Sequence, residues 1–593
     1  MNMKKIIYAI SAVAVLFFAA SCNESRLDIP QKGVTAYETF YQTDEDAESA
    51  LAAAYARWAA YVPGRGRGSN YIPLRVALNL CADDAYAAGS NFGDNDYAGS
   101  LDEFRYDSGN EIIDRLYTGL FLANYACNLV IDHFKDGLPE GGPTETTKKA
   151  VAEARVLRAH IYFILTTIWN TPPLIDHVIA DGLPYNSDKD PDNPMSHDDL
   201  LRWVANECEE ALPYLDERKS TTDKDGAVKV TKGFAWALQG KALVFVKDFA
   251  GAKTVLKKVI DSGKYALVPT DKYWQNFHIE GDCNEEKIFE ANIEKVASIS
   301  SGSGLGSRAS WMECQLWNWR SDHFVVPPQA VYTGSIDGWG GLGVPLWFGD
   351  EFFENDGHSA RFDATFIHVD DAVYGMQYNI ASINAMSLEE KKVSKEIGIN
   401  DVKDGLYGQS FWLPLKQMIR STDGYDPGKK YRINNHIVMR YAEVLLLYAE
   451  ACLQTGDAAE AKRVVNMIQE RAGSKTISET VDMNVLKKEK SYEMWNESVR
   501  WLDLVRWGDL DRVKQAGQAV PKLFDKLFRE PKAGETVIWE HGTEADSRFY
   551  IVNSHEALDA NWDCGFKVGQ HEYFPYPTSV MNKNPNMVQN PGW

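Results

Sequence analysis

An eight-residue pattern occurs twice in the chain and favours one class of fold. DFAGAKTV at 248–255 and DAAEAKRV at 457–464 share the pattern D-x-A-x-A-K-x-V. Each copy follows an apolar run with the length of a helix, KGFAWALQGKALVFVK in the first case and RYAEVLLLYAEACLQTG in the second. The aspartate that opens each copy, Asp248 or Asp457, is a residue type that commonly caps the start of a helix. Each copy is therefore predicted to begin the second helix of a helix–turn–helix pair.

Small residues at matched positions support this pairing. Gly240 precedes Ala252 by twelve positions, and Ala449 precedes Ala461 by the same number. Small side chains at this offset let two antiparallel helices approach closely across a short turn, as they do in tetratricopeptide units. Further amphipathic segments with apolar residues at helical spacing occupy 44–60, 112–134, 146–169 and 197–215.

These segments predict a mainly α fold, a tetratricopeptide-like helical repeat scaffold of about four helix pairs. The alternative is an unrelated helical domain in which the similarity of the two copies is a coincidence. The scaffold is predicted to lie mainly in 40–265 and 438–510. Between about 266 and 437, glycine, proline and aromatic residues dominate without a helical period, which predicts a large loop-rich insertion subdomain. The tail, 511–593, also lacks that period, and 22–593 is predicted to form one domain.

The first residues resemble a secretion signal. Residues 1–5 carry two lysines, 6–20 are apolar apart from Ser11, and small residues lead into Cys22. Segments of this kind are removed from the mature protein, and a cysteine directly after the small residues resembles a bacterial lipobox. Residues 1–21 are therefore predicted to be a lipoprotein signal peptide and Cys22 the lipidation site, since several acyl chains give stable anchoring. The alternative is an ordinary signal peptide with an incidental cysteine.

Charge and cysteine usage argue against two classes of site. The 593 residues carry a net charge of −22, which disfavours binding to nucleic acid. The seven cysteines after Cys22 are scattered singly, so neither a disulfide framework nor a zinc site is predicted. No cofactor is predicted. The aspartates of DKDPD, 188–192, are compatible with a structural calcium ion, and the alternative is a solvated turn before a helix capped near Ser196.

Four stretches in order resemble motifs of the SusD/RagB family. AEARVLRAHIYFILTTIWNTPPLI at 152–175 is similar to the family's A-E-A-R-F-L-R-A-x-x-Y-F-x-L helix, and RYAEVLLLYAEACLQTGD at 440–457 to its most recognisable helix. EMWNESVRWLDLVRWGDL resembles E-x-x-x-E-G-x-R-x-x-D-L-x-R-W, with Ser498 in place of the usual glycine. The ending FPYPTSVMNKNPNMVQNPGW resembles the family's P-x-P…N-P-N-L-x-Q-N-P-G-[YW] terminus. The resemblance runs essentially from Cys22 to Trp593.

The charged residues of the third motif are expected to be structural. On a continuous helix, Glu493, Glu497 and Arg500 would share a face and could pair. Buried ion pairing within the scaffold is therefore expected of them rather than catalysis.

The resemblance implies a function at the cell surface. It implies non-catalytic binding of an oligosaccharide or polysaccharide, and delivery to a SusC-like TonB-dependent transporter in the bacterial outer membrane, where the protein would be lipid-anchored. The alternatives are peptide binding by the same fold and, less in keeping with the family, glycoside hydrolysis. The single G-x-G-x-x-G, at Gly338, Gly340 and Gly343, is followed by Val344-Pro345 rather than by a helix, so a nucleotide site is not predicted.

Exposed aromatic side chains can stack on pyranose rings while neighbouring polar groups bind the hydroxyls. The candidates in the insertion are tryptophans with interleaved polar residues: Trp311, Trp317, Asn318, Trp319, Arg320, Trp339 and Trp347. The loop 82–100 is a second candidate, where Asn95, Asp96 and Tyr97 are assigned by their place in the family. The alternatives are that the tryptophans fill the core of the insertion and that 82–100 is a solvated loop.

Overall fold

A computed structural model describes most of the scaffold and parts of the insertion and tail. The described residues are 40–62, 72–89, 96–292, 316–319, 338–368, 409–410, 412–420, 423–426, 429–432, 434–513, 536–541, 549–553 and 565–593. Cys22 and the predicted signal peptide lie outside this part of the chain. None of the described helices combines the length and the apolar composition that crossing a membrane requires.

Helices dominate the described chain before residue 265. They are α1 (Asp44–Tyr61), α2 (Pro73–Leu80), α3 (Asp96–Asp102), α4 (Glu111–Phe134), α5 (Glu145–Trp169), α6 (His197–Ala211), α7 (Lys232–Phe245) and α8 (Phe249–Asp261). Polar caps begin α1, α5 and α6, where Thr43, Thr144 and Ser196 accept hydrogen bonds from backbone N–H groups of the first turn. The predicted cap at Ser196 is therefore confirmed.

The second group of helices follows the insertion or interrupts it. It comprises α9 (Leu346–Asp356), α10 (Ala360–Thr365), α11 (Tyr441–Gln454), α12 (Ala458–Ala472), α13 (Met483–Glu493), α14 (Arg500–Trp507) and α15 (Thr578–Met581). The two copies of the repeat pattern form α8 and α12. As predicted, Asp248 and Asp457 cap them, accepting hydrogen bonds from the N–H groups of Gly251 at 3.0 Å and Glu460 at 3.3 Å.

The repeat helices pack as two stacked hairpins. Gly240 on α7 approaches α8 so closely that a Cβ atom there would lie 2.5 Å from the side chain of Leu256, which explains the small residue. The hairpins α7–α8 and α11–α12 meet through α8 and α11, and Lys253 Nζ lies 2.8 Å from a carboxylate oxygen of Asp457. With α1 against α4 and α5 against α6, the scaffold contains four pairs, so the predicted fold class is confirmed.

Short antiparallel strand pairs stabilise the remainder of the described chain. The strands are β1 (Tyr86–Ala87), β2 (Lys287–Ala291), β3 (Leu342–Gly343), β4 (Phe366–His368), β5 (Trp412–Pro414), β6 (Gly424–Asp426), β7 (Lys429–Arg432), β8 (His436–Arg440), β9 (Thr536–His541) and β10 (Phe549–Asn553). They pair as β1–β3, β2–β8, β4–β5, β6–β7 and β9–β10. The β2–β8 pair joins the two ends of the predicted insertion and leads directly into α11. The predicted division of the chain at 266 and 437 stays a prediction.

The C-terminal residues pack on α5, a largely buried helix of the scaffold. All residues of α5 from Val156 to Trp169 are buried. The indole N–H of Trp169 donates to the carbonyl of Pro575 at 2.9 Å, and the Tyr576 hydroxyl donates back to the Trp169 carbonyl at 3.0 Å. The last residue, Trp593, stacks on Tyr106 with ring centroids 5.2 Å apart. The terminal motif therefore has a structural role, because its contacts hold the C-terminal residues against the scaffold.

The charged motif is buried and ion-paired, but it does not lie on a continuous helix. The Glu493 carboxylate lies 2.5 Å from Arg440, and Glu497 binds Arg440 and Lys416, each at 2.7 Å. Helix α13 ends at Glu493 and α14 begins at Arg500. The intervening turn contains Asn496 and Ser498 at φ 57° and 63°, a conformation that a helix cannot contain. The expected shared face was therefore wrong, although the expected burial of the charges was right.

Candidate functional site

Strand pair β1–β3 joins the two segments that contain the candidate ligand residues. Ala87 pairs with Leu342, and the Ala88 N–H donates to the carbonyl of Gly341 at 3.2 Å. On the other side, the Ala87 N–H donates to Asp102 Oδ2 at 2.8 Å, which fixes the end of α3 against β1. The described parts of segment 82–100, which are 82–89 and 96–100, therefore form one unit with the glycine-rich stretch that begins at Gly338.

Two aromatic side chains of this unit face solvent. Tyr97, in the first turn of α3, and Trp339, just before β3, are each 41% exposed. Asp96, beside Tyr97, is also exposed. We refer to Asp96, Tyr97 and Trp339 as the aromatic ledge.

The backbone on each side of Trp339 is fixed. The Gly338 N–H donates to the Trp319 carbonyl at 3.1 Å, and the Gly340 N–H donates to the Asn318 carbonyl at 2.8 Å. Gly340 has a φ of 64°, in the left-handed region that glycine adopts without a steric cost. Gly343 lies against Tyr86, since a Cβ atom there would be 2.0 Å from its ring. These packing requirements account for the glycines, and the segment continues into a strand rather than a phosphate-binding loop.

Three predicted ligand residues lie in the core beneath this backbone. Trp317, Asn318 and Trp319 are only 2%, 1% and 1% exposed. The Trp319 indole N–H donates to the Pro414 carbonyl at 2.8 Å, and Asn318 forms two hydrogen bonds to the backbone of Ile419. A sugar cannot reach any of them. The prediction that Trp317, Asn318 and Trp319 bind ligand is therefore wrong, and the alternative of core packing is right.

The other predicted residues fall into two groups. Trp347 lies in the first turn of α9, beyond the opposite end of β3 from Trp339; it is half-buried, with the guanidinium of Arg512 5.5 Å from its ring centroid. Its role as a ligand residue stays a prediction. Trp311, Arg320 and Asn95 lie outside the described residues.

Carboxylates near β1 have shifted pKa values because they are buried. Burial, followed by the charge of Asp83, raises the pKa of Asp84 to about 7, against the attraction of Arg500. Burial also raises the pKa of Asp102 well above its usual range. Both side chains are 3% exposed, so neither can contact a ligand on the surface, and these shifts reflect the interior rather than a catalytic pair.

Within the described ranges, no group of three or more His, Cys, Asp and Glu side chains could hold a metal ion. In the DKDPD stretch, Asp188 accepts a hydrogen bond from Thr171 Oγ1 at 2.8 Å and pairs with Lys189 at 2.8 Å. Asp190 accepts hydrogen bonds from the N–H groups of Asp192 and Asn193. These contacts form a turn of the kind that aspartate stabilises by itself.

One exposed tryptophan was not selected from the sequence. Trp274, within the 3₁₀ helix Thr270–Phe277, is 36% exposed, and the guanidinium of Arg420 lies 4.9 Å from its ring centroid. Polar residues surround it in DKYWQN, and this is the signal that could have identified it. Arg420 also pairs with Asp423 and Glu280, so the arrangement is stable as an ion-paired surface cluster.

Comparison with known proteins assigns the chain to a family. The model of the SusD family matches residues 286–593, which is more than half of the chain. The chain belongs to the SusD family. This confirms the resemblance seen in the sequence motifs and is consistent with the helical repeat scaffold.

Relatives of this SusD-family protein match it over most of their length. SusD-like protein P38 of Formosa agariphila is 23% identical over 553 residues, which are 87% of this chain and 95% of that protein. A SusD-like protein of Bacteroides ovatus is 25% identical over 528 residues, which are 85% of this chain and 82% of that protein.

Solved structures share the fold. A laminarin-binding SusD-like protein is 21% identical, with a TM-score of 0.65 and coverage of 93% of this chain and 100% of that one. Surface glycan-binding protein A of Bacteroides thetaiotaomicron, in complex with laminarihexaose, is 19% identical, with a TM-score of 0.67 and the same coverage. At this identity the likeness shows the common fold.

Proposed function

We propose that this SusD-family protein is a non-catalytic glycan-binding protein whose aromatic ledge contacts the sugar. The observation that carries the proposal is the exposure of Tyr97 and Trp339, each 41%, on segments joined by β1–β3. A flat aromatic ring complements the apolar C–H face of a pyranose. The Asp96 carboxylate beside it is a hydrogen-bond acceptor for sugar hydroxyls.

The ligand class is an oligosaccharide or polysaccharide rather than a monosaccharide. A shallow ledge with two aromatic rings gains little energy per sugar unit, so repeated engagement along a polymer supplies the affinity. Two proteins of the same fold are described by their binding of laminarin and laminarihexaose. β-Glucans of this kind are therefore the first ligands to test.

Membrane attachment and delivery complete the proposal. Cys22 follows the small residues of a lipobox-like signal, and acylation there would hold the protein at the outer membrane surface. Membership of the SusD family supports a SusC-like TonB-dependent transporter as the partner that receives the glycan. Cys22→Ser should abolish incorporation of labelled palmitate in a bacterial host, and the transporter should co-purify with the lipidated protein.

Calorimetric titration tests carbohydrate binding. The full chain is titrated with laminarin, laminarihexaose and a panel of unrelated polysaccharides, beside Trp339→Ala and Tyr97→Ala. The matched control is Trp274→Ala, which removes an exposed indole that is not on the ledge. We expect binding to one polymer class that both ledge variants weaken and the control does not. Release of reducing ends, binding of peptides alone, or equal effects of all three variants would contradict the proposal.

A further inference from the structure

A partly open cavity of about 70 Å³ lies between α2, α5, α7, β8 and the turn before α14. A water molecule needs roughly 10–15 Å³ of such space, so the cavity has room for several water-sized groups. Apolar side chains such as Leu78, Phe163 and Leu502 form part of its wall. The remaining wall contains polar groups whose hydrogen-bonding capacity can be counted.

Asn496 places a hydrogen-bond donor in this wall. The residue is 5% exposed, and its Nδ2 is buried without a hydrogen-bond partner among the described residues. The Ser498 N–H donates to Asn79 Oδ1 at 3.0 Å, which fixes the orientation of the Asn79 amide. Asn79 Nδ2 then donates to Asn496 Oδ1 at 2.8 Å, so the Asn496 amide is oriented as well. A buried amide N–H₂ without an acceptor is unfavourable, so the site favours a ligand that accepts hydrogen bonds.

His160 provides a second donor. The Trp58 indole N–H, which can only donate, is 3.2 Å from His160 Nδ1. Nδ1 is therefore the acceptor, and the proton of the neutral ring is on Nε2. Burial, helped by the charge of Lys241, lowers the pKa of His160 to about 3, so the ring stays neutral. No described residue is hydrogen-bonded to Nε2, and His160 lines the cavity.

Cations outnumber carboxylates among the residues that line the cavity. Arg75 stacks on Trp317, with its guanidinium 5.1 Å from the ring centroid, and Lys241 binds Glu443 at 2.7 Å. The lining carboxylate, Glu497, is held by Arg440 and Lys416 at 2.7 Å each, so it is not available as a competing acceptor. The wall therefore combines donors with two cationic side chains, of which Lys241 is paired with Glu443.

Unfavourable backbone conformations also meet at this cavity. Gln417, Asn496 and Ser498 line it and have φ values of 65°, 57° and 63°. Residues other than glycine adopt this region at a steric cost, because the Cβ atom approaches the following carbonyl oxygen. Backbone strain of this kind is concentrated at ligand sites, where the surrounding structure maintains it.

We propose that this cavity binds a small monovalent anion of halide size, which accepts hydrogen bonds from Asn496 Nδ2 and His160 Nε2. The guanidinium of Arg75, which lines the cavity, offsets its charge. An ordered water cluster is the alternative occupant, and the experiment below distinguishes the two. The anion stabilises the junction between the turn before α14 and α5, and the proposal is independent of glycan binding.

Bromide is the probe. Crystals of the full chain grown in sodium bromide should show, at the bromide absorption edge, an anomalous peak within hydrogen-bond distance of Asn496 Nδ2 and His160 Nε2. In solution, the melting temperature should rise saturably when bromide replaces gluconate at constant ionic strength. Water alone in the cavity, or a melting temperature that is insensitive to the exchange, would overturn the proposal.

Two variants keep the test specific. Asn496→Asp preserves the acceptor for Asn79 and tolerates the same backbone conformation, but replaces the donor by an acceptor. His160→Asn keeps an acceptor for Trp58 while removing the Nε2 donor. Both should abolish the peak and the bromide-dependent rise, whereas Asn484→Asp, an exposed change of the same kind on α13, should retain them. Trp339→Ala should also retain them, which separates this site from the ledge, and a full bromide response in both cavity variants would refute the site.

Discussion

The guanidinium of Arg500 forms a two-point ion pair with the carboxylate of Asp83, with N–O distances of 2.7 and 2.9 Å. The pair joins the start of α14 to the segment that enters β1, and neither side chain is more than 10% exposed. The third family motif is thereby connected to the strand pair that supports the aromatic ledge.

Breaking this pair should destabilise the protein strongly. Removing one partner leaves the other charge buried and unpaired, which costs about 3–5 kcal/mol. We expect Arg500→Met to lower the free energy of unfolding by that amount in urea titrations. Lys257→Met, which breaks an ion pair with more than half of each side chain exposed, should cost less than about 1 kcal/mol. Similar losses in the two variants would show that the buried pair is unimportant.

Ser498→Gly should stabilise the fold. Ser498 has a φ of 63°, which disfavours any residue with a Cβ atom, and its place in the motif is the one that glycine usually occupies. We expect a gain of about 0.5–1 kcal/mol, since the relief of strain exceeds the extra entropy of glycine in the unfolded chain. The urea midpoint gives the measurement. Ser498→Ala retains the Cβ atom and should show no gain; equal gains would exclude the backbone explanation.

Trp319 should matter for stability and not for recognition. Its indole is 1% exposed and hydrogen-bonded to the Pro414 carbonyl. Truncating a buried tryptophan costs about 3–5 kcal/mol, so Trp319→Ala should lower the melting temperature. The glycan affinity of the fraction that remains folded should stay within about twofold of the parent, whereas Trp339→Ala should weaken it by about tenfold, or about 1.4 kcal/mol. A larger loss of glycan affinity in Trp319→Ala than in Trp339→Ala would indicate that the buried tryptophans bind the glycan.

Asp84 should make stability fall with rising pH. Its folded pKa is raised to about 7, while an unfolded aspartate titrates near pH 3.9. Between these values the folded state binds more protons than the unfolded state, so the free energy of unfolding decreases as pH rises from about 4 to about 7. Asp84→Asn removes this contribution, and the variant should gain stability over the parent across that range. The free energy of unfolding is measured by urea titration at each pH. A difference between variant and parent that stays constant from about pH 4 to about pH 7 would contradict the raised pKa of Asp84.

The scaffold could be predicted because its determinants are local. The caps at Asp248, Asp457 and Ser196 and the small residue Gly240 each act within one helix or one hairpin, and the sequence pattern reports them directly. The break at Asn496 and Ser498 could not be seen, because the glutamate and arginine spacing fits a continuous helix and only the buried partners of each charge favour the turn.

The sequence alone could not separate the exposed candidate residues from the buried ones. Tryptophans interleaved with polar residues fit an exposed aromatic surface, but nothing local shows whether Trp317 and Trp319 face solvent or the interior. Trp319 contacts Pro414 and Trp317 contacts Arg75, and both partners are distant in sequence. The sequence analysis names both Tyr97 and Trp339 as candidates. It could not predict that β1 pairs with β3 and so joins their two segments, because this pairing links residues that are distant in sequence.

The packing of the C-terminal residues on α5 bears on how the chain reaches its native state. Trp169 forms hydrogen bonds with Pro575 and Tyr576, which are 406 and 407 residues away along the chain. Trp593 stacks on Tyr106. Contacts of such high sequence separation form slowly. We therefore expect these contacts to form late in folding, after the helix hairpins, whose contacts join neighbouring segments of the chain.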